Sequence, residues 1–179
     1  MSADLHKYGY AAKGASTVLF RSEELYAHMP FEYSCWSGAP MTTPTLAGTR
    51  PGGAIAAAWA VMNYLGVDGY RRLQGEVCAT RERVEEAVKM MGFQIVGNPI
   101  LGLLAFHHPD HHALALYGEI YRRGWFTSVT MEPPSLHLML SPKHSEFIDA
   151  YLDDLADSGR AVAAGENGKA AEKVEARYS

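Results

Sequence analysis

A glycine break followed by a long helical period divides this chain. Gly66 stops an alanine-rich stretch that opens at about Gly52. From Asp68 the apolar residues Tyr70, Leu73, Val77, Val84, Val88 and Met91 recur at helical spacing until Gly92. The spacing predicts consecutive helices over 52–65 and 68–92, the second connecting two parts of different character. Downstream the pattern predicts strands at 93–96 and 101–106, a helix over 112–123, and strands at 125–131 and 136–140. Ser141-Pro142 then reads as the N-cap and first residue of a last helix running through Asp157. That order implies a small α+β layer over 93–158. Upstream, 1–21 reads as loop, strand at 17–20, and turn. Ser22 caps a short helix to His28. Residues 29–51 carry Pro30, Pro40 and Pro44 among several glycines, ending at Pro51, and read as one long irregular segment of the kind that is often functional. The tail over 159–179 is rich in Ala, Gly, Glu and Lys, and is expected to be frayed unless a partner orders it.

Composition narrows the function classes. The chain has 179 residues and a formal net charge of -4, so nothing suggests a nucleic-acid partner. No apolar run reaches the roughly 18 residues that span a bilayer. The polar N-terminus has no apolar core of a signal peptide. Two cysteines, Cys35 and Cys78, make no disulfide framework. The expectation is a reduced, cytoplasmic protein.

The chemistry concentrates near the start, in Ser2-Ala3-Asp4-Leu5-His6-Lys7-Tyr8-Gly9-Tyr10-Ala11 followed by Lys13-Gly14. A lysine is ordinarily a solvated surface charge. A lysine directly after a histidine, in a short loop leading into an apolar strand, is also a place for an amine that condenses with an aldehyde. Such an amine must be neutral to attack, so burial and nearby positive charge are expected around it. A second string, Ala47-Gly48-Thr49-Arg50-Pro51-Gly52-Gly53, precedes the alanine-rich helix. Glycines let backbone approach a ligand, and a helix N-terminus offers free N–H groups to an anion. Helix packing explains Gly52 and Gly53 as readily, and Arg50 reads equally as a structural ion-pair partner.

The first string resembles the lysine loop of the group II pyridoxal-phosphate-dependent decarboxylases, in particular the sphingosine-1-phosphate lyase branch. The second resembles that branch's Ala-Gly-Ser-Arg-Pro-Gly-Gly. The resemblance is specific over residues 2–53 and rests on general pattern beyond. It implies an α/β fold of fold type I, with residues 1–66 as the end of the cofactor-binding large domain, 67–92 as a connecting helix and 93–158 as a small α+β C-terminal domain. It implies pyridoxal 5'-phosphate as cofactor, Lys7 as the lysine that holds it, and His6 beside it. Thr49, in place of serine, would touch the cofactor phosphate across a homodimer interface. Lys13 would hold the phosphate of a phosphorylated amine substrate. The motif lies near the middle of family members, so the chain looks like the second half of an enzyme. The aspartate that pairs with the pyridine nitrogen and the histidine that stacks on the ring belong to the other half.

The activity implied is carbon–carbon cleavage of a phosphorylated amino alcohol. Amino-acid decarboxylation on the same cofactor is the near alternative, and a non-catalytic interaction module the more distant one. The run His107-His108-Pro109-Asp110-His111-His112 suggests a metal cluster at first sight. Adjacent residues at a strand end point to opposite faces, however, and a strand-to-helix corner is polar anyway, so no metal is expected. Trp36, Trp59 and Trp125 read as core or interface residues. The segment Phe31 to Trp36 reads either as packed loop or as the lining of a lipid-like substrate channel.

Overall fold

A computed structural model describes residues 1–165. It divides into two compact units, Met1–Gly69 and a second from Tyr70 onward. In the first unit, β1 (Ser2–Asp4) pairs antiparallel with β2 (Ser16–Val18), placing Asp4 opposite Ser16. A single-turn helix, α1 (Glu23–Tyr26), follows, with the Ser22 hydroxyl accepting from Leu25 N–H. β3 (Phe31–Tyr33) and β4 (Met41–Thr43) form a second hairpin. This hairpin lies inside the segment expected to be irregular. Its three-residue strands, flanked by Pro30, Pro40 and Pro44, are too short to leave a period in the sequence. The same brevity hid β1.

α2 (Gly52–Met90) is broken where the sequence places its stop, at Gly66, whose φ of 56° and ψ of -174° lie outside helical space. Few residues other than glycine adopt that conformation. Beyond Tyr70 the helix buries Val77, Val84 and Val88, the residues expected from the period.

The second unit is a four-stranded antiparallel sheet in the order β5-β6-β8-β7, with two helices. The strands are β5 (Gln94–Ile95), β6 (Leu103–His107), β7 (Ser128–Met131) and β8 (Pro134–Met139). Between β6 and β7 runs α3 (Ala113–Arg122), capped by His112, whose Nδ1 accepts from Leu114 N–H at 3.2 Å. β7 and β8 join through a cis Glu132–Pro133 bond. Pro134 sits at the first position of β8, where a missing N–H is tolerated. α4 (Ile148–Ala163) closes the unit. Ser141-Pro142 caps a different element from the one expected. They open a 3-10 turn, Pro142–Glu146, in which His144 Nδ1 accepts from Ser141 N–H at 2.8 Å, and α4 starts only at Ile148. α4 also extends five residues into the expected polar tail, Gly159 to Ala163, because Leu155 and Ser158 bury on its inner face. The rest of that tail, 166–179, lies outside the described residues.

The core of this unit follows the periods. β6 buries Leu104 and Phe106, alternate residues on one face. α3 buries Ala113, Leu116 and Ile120, and α4 buries Ile148, Tyr151, Leu152 and Leu155. Each fully buried aliphatic or aromatic side chain contributes about 1.5–3 kcal/mol of transfer free energy. Phe93 and Phe106 meet edge to face at 5.4 Å, which fixes β5 against β6.

Candidate active site

The Lys7 loop is a tight knot of backbone. Lys7 N–H donates to Asp4 C=O at 3.1 Å, Tyr10 N–H to Lys7 C=O at 2.9 Å, and Ala11 N–H to Leu5 C=O at 2.9 Å. The knot needs Gly9: a Cβ there would stand 2.5 Å from the Leu5 carbonyl oxygen. Tyr10 takes a left-handed φ of 55°, the one non-glycine residue with positive φ among the described residues. A bulky residue in that region costs ~1–2 kcal/mol, and such strain is concentrated at functional loops.

The environment of Lys7 differs from the expected one. Its side chain is 58% exposed and its Nζ lies 2.9 Å from Asp4 Oδ2. A solvated, acid-paired ammonium thus replaces the buried amine beside positive charge. The physical reason is local: the loop curls back on β1, and Asp4 at the strand's end is the nearest strong acceptor. Asp4 is in turn held by Ser16, whose hydroxyl donates to Oδ1 at 2.7 Å across the β1–β2 pair. The bonds from Lys7 first and Ser16 second hold the Asp4 carboxyl below its ordinary value. Asp4 and Ser16 are the site residues that the sequence reading missed. The signal was present in the three-residue spacing of Asp4 and Lys7 inside the motif.

His6 is half-buried, and its Nδ1 is shielded from solvent with no hydrogen-bond partner among the described residues. A buried, unsatisfied ring nitrogen costs ~1–3 kcal/mol, so it favours a further polar group beside Lys7. Lys13 is exposed on the next turn. That turn reaches α2: Gly14, at φ 112°, comes so close that a Cβ would stand 3.1 Å from the Ala54 Cβ. Ala54 is in the first turn of α2, so the lysine loop and the free N–H groups at Gly52 and Gly53 adjoin. Thr49 and Arg50 are exposed on the approach to that helix. Gly48 there has φ 63°, and Thr45 Oγ1 donates to its carbonyl at 3.4 Å. Two lysines, an imidazole with an open nitrogen and a hydroxyl before a helix N-terminus are the kinds of group that fit the aldehyde and phosphate of pyridoxal phosphate.

Trp36 and Trp59 are exposed, and only Trp125 packs inward, its Nε1 donating to Asp154 at 2.7 Å. Phe31, Tyr33 and Trp36 are all exposed.

No family model matches the chain. Relatives and solved structures do. The sphingosine-1-phosphate lyase of Oryza sativa subsp. japonica is 33% identical over 88% of this chain and 30% of its own length. The chain is a partial homologue of the sphingosine-1-phosphate lyases and group II decarboxylases. A probable L-tyrosine/L-aspartate decarboxylase of Methanothermobacter thermautotrophicus is 31% identical over 87% of this chain and 42% of its length. The structure of the Burkholderia pseudomallei sphingosine-1-phosphate lyase matches with a TM-score of 0.82 and 28% identity, covering 89% of this chain and 37% of that one. The fold is that part of a fold-type I pyridoxal-phosphate enzyme. The chain therefore spans about 30% of the length of the lyases it matches, nearer a third of the enzyme than the half expected. No helix among the described residues is long and apolar enough to cross a membrane.

Proposed function

We propose that the protein carrying this chain is a pyridoxal-phosphate-dependent carbon–carbon lyase acting on a phosphorylated amino alcohol, working as a homodimer. The observation that supports this reading best is the close approach of Gly14 to Ala54, which joins the lysine loop to the start of α2. Lys7 holds the cofactor's aldehyde. Pyridoxal phosphate, when bound, supplies the electron-withdrawing ring that stabilises negative charge left on carbon by bond cleavage. The loop hydrogen bonds orient Lys7, and Asp4 anchors its side-chain amine within the loop. His6 offers its open Nδ1 beside that amine. Thr49 and the N–H groups of Gly52 and Gly53 bind the cofactor phosphate. Lys13 binds the substrate phosphate as a point charge.

Borohydride reduction of the cofactor-loaded protein tests the first assignment. The reduced cofactor should be recovered on a peptide at Lys7, and recovery on another lysine overturns it. Lys13→Ala should then lower turnover of a phosphorylated amine by about one to two orders of magnitude, as expected for a lost charge-assisted contact of ~1.5–3 kcal/mol, while cofactor binding holds. The second reading, amino-acid decarboxylation, draws on the comparable identity to the Methanothermobacter decarboxylase. Equal losses on phosphorylated and unphosphorylated amines would favour it.

A further inference from the structure

The histidine run left unused by this chemistry builds a site of its own in the second unit. A pocket of about 300 Å³ lies between the end of α2, the corner after β6, and α4. That is the small end of the range in which proteins hold ligands, ~300–1,000 Å³. Its apolar wall is formed by Met91, Phe93 and Leu155, and its polar wall by His108, His111 and Arg160. The rings of His108 and His111 stack at 4.2 Å with planes 14° apart. Rings so nearly parallel aim their lone pairs along parallel lines, which is the wrong geometry to converge on one metal ion at ~2.0–2.1 Å.

The histidine is held on three sides. Phe93 meets the His108 ring edge-on at 5.2 Å. His108 Nδ1 accepts from Asp110 N–H at 3.2 Å, so the neutral ring carries its proton on Nε2. Gly92, which ends α2 at φ 89°, makes room for that nitrogen: a Cβ there would lie 3.1 Å from Nε2. Burial first, then the charge of His111, holds the His108 imidazole below its ordinary value; Asp110 opposes this and His107 adds to it. From α4 the facing charge is Arg160, whose guanidinium pairs with Asp157. The segment between α2 and β5 contributes only the apolar side chains of Met91 and Phe93 to this pocket. The pocket therefore sets two imidazoles that repel each other's protons, and an arginine, against an apolar wall. An anion seated there favours the charged rings.

We propose that this pocket binds a small organic anion with an apolar body, its head against the His108–His111 pair and its body on Met91, Phe93 and Leu155. Binding then takes up a proton at His108 Nδ1, which gives up the hydrogen bond it accepts from Asp110 N–H. Affinity rises as pH falls through the value His108 has in the complex, and levels off below its value in the free protein.

The probe is 1-hexanesulfonate, whose charge does not change between pH 5.5 and 8. It is titrated into the whole chain while the histidine ring C–H signals are followed by NMR. Saturation should raise the His108 midpoint by about one pH unit, with binding about tenfold tighter at pH 5.5 than at pH 8. 1-Hexanol should leave the midpoint where it is, and inorganic sulfate should bind far more weakly than the sulfonate. His108→Gln with His111→Gln should remove the pH dependence. The wild-type comparison of sulfonate, alcohol and sulfate decides the matter even where that variant folds poorly. An unmoved His108 midpoint, equal affinity at both pH values, or sulfate as tight as the sulfonate would overturn the proposal.

Discussion

Val77, Val84, Val88, Phe106, Leu116, Ile120 and Leu155 are fully buried in the second unit, whereas in the first unit Ala58 is the one buried side chain among the described residues. The first unit is not short of apolar residues. Phe20, Leu25, Phe31, Trp36, Ile55, Trp59 and Tyr64 are all exposed there, against a smaller scatter in the second. The second unit has its own core. The first carries the residues proposed to hold the cofactor and buries almost nothing. Exposed apolar surface on this scale is uncommon on a self-sufficient domain and marks surface that something covers. The buried core and the proposed site thus reside in different parts of the chain, and a substitution can disturb one without the other.

The largest test of this contrast is a pair of truncations. Phe106→Ala should cost about 3–5 kcal/mol of unfolding free energy in urea, because it empties a packed site. Trp59→Ala, at a residue 66% exposed, should change the same measurement by no more than about 0.5 kcal/mol. A large loss at Trp59 would erase the distinction. The second test is alkaline. Burial pushes the Tyr151 phenol up to about 12, against a smaller opposing effect of its hydrogen bond with Thr127. The folded state keeps that proton above pH 10 while the unfolded chain releases it. The stabilisation is therefore complete below about pH 10 and lost as pH rises toward 12, by about 2–3 kcal/mol. Tyrosinate absorbance should report Tyr151 only as the second unit unfolds.

The third test belongs to the first unit. Gly9→Ala forces the loop off the Leu5 carbonyl at a local cost of ~1–3 kcal/mol. It should disturb the rate at which pyridoxal phosphate and borohydride label Lys7, with the urea midpoint of the second unit unchanged. The smallest effect is expected at Asp4→Asn. Labelling of Lys7 should quicken, and circular dichroism should report no change in fold.

What could be read in the sequence follows the same divide. Where a side chain's period had a core to answer to, as at Val77, Val84 and Val88 or Ala113, Leu116 and Ile120, the pattern located the element. The break at Gly66 was legible because only backbone conformation is needed to explain it. The misreadings fall where local bonds override pattern. Ser141 and Pro142 satisfy their own 3-10 turn through His144, so the cap signal was real but its helix began later. The β1–β2 and β3–β4 pairs are too short to show alternation. At Lys7 the surroundings of the side chain were not legible, because Asp4 reaches it through a turn.

The contact between Gly14 and Ala54 also has an engineering meaning. Between them, the stretch from the end of β2 to the Thr49 string, including α1 and the β3–β4 hairpin, is an excursion pinned at both ends. Loop-closure entropy grows only with the logarithm of length, about 0.6 kcal/mol for a doubling. Such an excursion can be lengthened, shortened or exchanged for another while Lys13 keeps its place beside α2. It is the natural position at which to insert a foreign segment beside an unchanged lysine loop.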